Sequence, residues 1–196
     1  MEWMIIVTWL ARIILLILIL MSVYALSIIL ERRDFFKKFS LTTFEPTWIE
    51  LSEDGKIDEI KIGLDKSNPF MNQILSAFES SASFQSVRSL QLLKFKNLEE
   101  GKASVLGTFG STAPFIGLLG TVFGIIVAFG ELSAGKVDSN SIMYALAEAL
   151  ILTAVGLVVA IPSVMSFNHY SRRLKIERDR VRVLQDIIRS TITKNS

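Results

Sequence analysis

One carboxylate and two hydroxyls stand where long apolar stretches should exclude them. Glu148 lies inside IMYALAEALILTAVGLVVAIPSV, the run from Ile142 to Val164, and Thr153 follows it by five residues. Thr121 lies inside STAPFIGLLGTVFGIIVAFGEL, the run from Ser111 to Leu132. An acid at membrane depth is costly, so it faces a partner or a water path and marks a functional position. Carboxylate and hydroxyl oxygens together suit a path for a small cation. Each residue also has a plainer use. A threonine in a membrane helix bonds its own i−4 carbonyl. Glu148 can pair with Arg12, at the end of the first apolar run, and Arg12 can equally snorkel to the nearer surface. His169 is the single histidine and cysteine is absent, so metal chemistry and disulfides have no ligand set, and no cofactor is expected. The phrase GTVFG is followed by no Gly-Lys-Ser/Thr and is not a phosphate loop. Nothing in the chain points to an enzyme.

The elements that position these residues follow from composition. The 196 residues are 51% hydrophobic, with mean hydropathy +0.46, which indicates an integral membrane protein. The net charge is +2. No basic stripe is interleaved with aromatics, so nucleic acid is not an expected partner. Ile13 to Leu30 holds no charge, and its eighteen residues cover roughly 27 Å, enough for a bilayer core. It reads as a retained span, since neither a basic leader nor a small-residue cleavage site accompanies it. Arg32, Arg33, Lys37 and Lys38 follow at once and mark the cytoplasmic side.

The chain divides into an outer N-terminus at 1–12, a first span at 13–30, and a cytoplasmic region at 31–106. A second span follows at 107–132, an outer turn at 133–141, a third span at 142–167, and a cytoplasmic helix at 168–196. The positive-inside rule applied to the basic tail after Phe167 agrees with the first span: N-terminus out, C-terminus in. Within 31–106, Asp54-Gly55 suggests a small hairpin over residues 47–62. Apolar spacing predicts a helix from Phe70 to Leu98. In the tail, Leu174, Val181, Leu184, Ile188 and Ile192 fall near one face of a helix continuing the third span.

Depth can be counted from the outer turn. Thr121 lies eleven residues before Leu132, and Thr153 eleven after Ile142. In antiparallel helices both hydroxyls then lie about 16 Å deep. Glu148 is nearer the outer end, and about 140° around an ideal helix from Thr153. Gly117, Gly120 and Gly124 make the second span rich in small residues, which favours close helix approach. So many glycines predict contacts between subunits. Pro114 and Pro162 should bend their helices near the cytoplasmic edge.

The segment GSTAPFIGLLGTVFGI, followed after the turn by AEALILTAVGLVVAIPSV, resembles the ion-channel family of ExbB, TolQ and MotA, and ExbB most. The resemblance covers roughly residues 103–175. It implies an all-α ring of several copies, typically five, in the inner membrane, with long second and third helices reaching into the cytoplasm. It further implies a single-span partner like ExbD or TolR carrying a membrane aspartate, and beyond it a TonB-like or TolA-like protein. By position in the motif, Thr121 and Thr153 match the family's lumen threonines and Glu148 its intramembrane glutamate. The expected function is therefore a proton- or sodium-driven channel and motor subunit. The alternatives are a TolQ-like or motility motor, and a passive membrane scaffold.

Overall fold

A computed structural model describes residues 2–39, 70, 84–133 and 139–195. They form helices: α1 (Glu2–Phe39), α2 (Phe84–Ser133) and α3 (Ser139–Asn195). The expected hairpin over 47–62 lies outside the described residues. Each helix contains a stretch long and apolar enough to cross a membrane, within Ile5–Lys38, Gly101–Ser133 and Ile142–Ser190.

The helices overrun the apolar stretches that call for them. At 1.5 Å per residue, the 50 residues of α2 and 57 of α3 exceed a ~30 Å hydrocarbon core more than twofold. No boundary separates a cytoplasmic helix ending at Leu98 from a span beginning at Gly107; α2 passes through both unbroken. The polar stretch Glu99-Glu100-Gly101-Lys102 suggests a break, but only the glycine disfavours helix there, by about 1 kcal/mol. Pro114 and Pro162 likewise lie inside continuous helices.

Two compact units divide the chain. The first joins Met1–Leu30 with Ala103–Asn168. Its core is Ile14, Leu18, Ala113, Val159 and Ala160, with Met21, Ile116, Phe123 and Val155 packed around them. Large apolar side chains such as Leu16, Leu20, Phe115, Val158 and Ile161 point away from this core and remain exposed. Such a surface suits lipid, where helices associate by close packing and not by removing apolar area from water.

The second unit joins Glu31–Lys102 with His169–Ser196. Along α3, Tyr170, Leu174, Glu177, Val181, Leu184 and Ile188 are all buried. Their alternating steps of four and three residues form one stripe of a helix. Tyr170 stacks on Phe36 of α1, with ring centroids 5.7 Å apart and planes within 3°. Lys102 donates a charge-assisted hydrogen bond to Glu31.

Candidate functional site

The site begins with a seam of small residues in the first unit. On α2, Gly107 faces Phe167, Gly110 faces Val164, Gly117 faces Thr153 and Gly156, and Gly124 faces Ala149. Successive positions forward along α2 thus meet successive positions back along α3. Gly110, Gly117 and Gly124 recur at seven-residue intervals, which keeps them on one side of the helix. A Cβ on Gly117 would lie 2.7 Å from the carbonyl oxygen of Leu152, and one on Gly156 would lie 2.7 Å from that of Ala113. Only hydrogen fits at either position. Gly120 meets the Leu152 side chain and Ile14 of α1. These glycines make close contacts within the chain. Gly156 carried no comparable sequence signal, because α3 reads as an ordinary Val/Ala/Leu span. Its position three residues after Thr153 was the one available hint.

This approach brings the two threonines together. Thr121 Oγ1 and Thr153 Oγ1 are 3.1 Å apart. Thr121 Oγ1 also lies 2.7 Å from the Leu118 carbonyl oxygen. A carbonyl can only accept and a hydroxyl has one proton, so Thr121 donates to Leu118. Thr153 must then donate to Thr121. Both protons are committed, and the pair presents only oxygen lone pairs to a third group. Thr121 is 5% exposed and Thr153 is half-buried. Such a pair can accept from water or hydronium, or coordinate a small cation. It cannot donate to an anion without breaking a bond already made.

Glu148 is not in this pair. It lines a separate cavity of ≈ 150 Å³ with Arg12 and Thr8, among Ala11, Leu15, Gly124, Val127, Ala145 and Leu152. No direct Arg12–Glu148 ion pair forms among the described residues. The guanidinium instead lies 5.7 Å from the centroid of the Trp9 ring, within cation–π range. Leu152, 6% exposed, connects the two places: it lines the cavity, precedes Thr153, and packs on Gly120 beside Thr121. Pro114 and Pro162 contribute no side chain to either place. Among the described residues no three acidic or histidine side chains cluster to hold a metal ion.

Part of the chain aligns with known proteins. The biopolymer transport protein ExbB of Xanthomonas campestris pv. campestris is 49% identical over 70 residues, 35% of this chain and 28% of that protein. An ExbB-like biopolymer transport protein of Helicobacter pylori is 44% identical over 90 residues, 45% of this chain and 57% of its own length. The Tol-Pal system protein TolQ of Haemophilus influenzae is 42% identical over 97 residues, 47% of this chain and 42% of that protein. The chain spans less than two thirds of each of these relatives. A longer match covers residues 63–182 and so reaches well before Ala103, where the motif resemblance begins. With more than half of its length matched, the chain belongs to the MotA/TolQ/ExbB proton channel family.

Proposed function

We propose that this protein is a subunit of an ion-gradient-driven channel and motor of the inner membrane, with its N-terminus outside and its C-terminus in the cytoplasm. Several copies, five by family resemblance, form a ring around the single spans of an ExbD-like partner. That partner supplies a carboxylate, and its motion energises a TonB-like protein that works across the outer envelope. The observation that carries this reading is the Thr121–Thr153 contact of 3.1 Å, a pair of oxygens with no proton left to give. Such a pair can accept from a cationic or proton-donating visitor, which would then pass to a titratable group. Gradient energy is sufficient in scale: one charge crossing 100 mV releases about 2.3 kcal/mol.

The test is ion flux in vesicles containing the protein with its single-span partner. Thr121→Val and Thr153→Val should each abolish gradient-driven flux while the complex still purifies intact. Full flux in both variants would leave only the scaffold reading. A TolQ-like output, envelope integrity in place of uptake, is the second reading, supported by the 42% identity to TolQ. The partner recovered with the protein from native membranes, ExbD-like or TolR-like, separates the two outputs.

A further inference from the structure

The cavity at Glu148 brings an acid and a base to one space without contact between them. Arg12 from α1 and Glu148 from α3 line it together, yet no ion pair joins them, and the other lining side chains except Thr8 are apolar or glycine. Both side chains are exposed in the single chain, and at membrane depth such polar groups must be paired or hydrated. The volume of ≈ 150 Å³ accommodates about five waters at ~30 Å³ each, and polar groups on facing walls are the condition for water to stay. The lining descends from Thr8, Val127 and Ala145 to Leu15, Gly124 and Leu152. That is the end of the bundle carrying the α1 N-terminus, with Leu152 at the floor.

We infer that this cavity is a hydrated port within a single subunit, through which Glu148 exchanges protons with the adjoining aqueous phase without passing Thr121 and Thr153. Water bridges the guanidinium and the carboxylate, as first-shell waters do across polar gaps. The Leu152 side chain, packed on Gly120 and Ile14, closes the floor and separates the port from the hydroxyl pair. The port itself requires only water. That it loads an ion for transport rests on the function proposed above.

The chain has no cysteine, so a single introduced thiol reports without background. Val127→Cys and Ala145→Cys line the port, whereas Ile13→Cys and Leu150→Cys occupy neighbouring exposed positions that do not. A thiol reacts as thiolate, whose formation needs water, so the port positions should react with a membrane-impermeant cationic methanethiosulfonate about tenfold faster than the controls. Equal rates at the two sets of positions would overturn the port. Arg12→Gln, combined with Ala145→Cys, should raise the rate of the cationic reagent relative to an anionic one severalfold. An unchanged ratio would remove Arg12 from the water path and overturn the inference as stated. The proposed function fails separately. Port labelling with full flux in Thr121→Val and Thr153→Val sinks the ion path and keeps the port; no labelling with flux lost in those variants does the reverse.

Discussion

Thr153 donates its hydroxyl proton to Thr121 across 3.1 Å because Thr121 has already given its own to the Leu118 carbonyl at 2.7 Å. The two residues are therefore unequal. Removing the Thr121 oxygen leaves Thr153 without its acceptor, whereas removing the Thr153 oxygen leaves Thr121 still bonded to its own helix. Each such bond is worth about 0.5–1.5 kcal/mol, so losing two at Thr121 or one at Thr153 should not prevent folding. Ion flux should fall in both Thr121→Val and Thr153→Val. Thr153→Ser, which keeps the oxygen, should retain flux; its loss there would show that the methyl group and not the hydroxyl matters.

Glycine substitutions should divide sharply by position. Gly117→Ala and Gly156→Ala would drive a Cβ against a facing backbone carbonyl, which cannot yield as a flexible side chain can. Overpacking of this kind costs typically 1–3 kcal/mol, or more where backbone must shift. Gly101→Ala meets nothing within 4 Å in the same helix. It should stabilise α2 by about 1 kcal/mol through helix propensity. Thermal unfolding of the purified protein in one detergent compares all three, and equal behaviour of Gly101 and Gly117 would refute the seam.

The stripe on the lower part of α3 predicts a second contrast. Val181 is 0% exposed, and Val181→Asp places a second carboxylate at a fully buried position one turn from the buried Glu177. Loss of several kcal/mol, seen as proteolysis of residues 169–196, is the expected outcome. Asp179→Ala breaks only the 3.9 Å contact with Arg182, whose partners are both more than half exposed. Such surface pairs contribute about 0–1 kcal/mol, so limited proteolysis should proceed as in the parent protein.

Phe36 and Tyr170 should couple. Their stacked rings predict an interaction of about 0.5–1.5 kcal/mol beyond area burial. A double-mutant cycle with Phe36→Leu and Tyr170→Leu, read by chemical denaturation, measures it. Additive effects would show that each ring is merely buried.

Much of this was legible before any coordinates. Three apolar runs and the level depth of Thr121 and Thr153 came from counting residues, because helical rise is fixed and the intervening turn is short. Side-chain direction was less accessible. Glu148 and Thr153 are five apart, and that spacing alone separated them around the helix, but only packing could reveal which neighbour each faces. Arg12 and Glu148 line one cavity, and the Arg12 guanidinium lies 5.7 Å from the Trp9 ring centroid, which residue spacing alone does not show. The glycines pack within the chain, a use that sequence does not separate from subunit contact, because it shows that a surface is small and not which helix occupies it. The helix through residues 98–107 hid behind a polar tetrad, since polarity ends a membrane run without ending a helix.

The seam between α2 and α3 has a mechanical consequence. Its glycines are matched one by one to particular neighbours, so sliding one helix along the other by a single residue would carry Leu152 or Val164 onto backbone that leaves no room for it. Axial slip or a kink would have to break these contacts. Within the first unit the two arms should therefore move as a single stiff bar, so that force applied at Thr121 reaches Gly110 and Val164 as tilt or rotation of the whole.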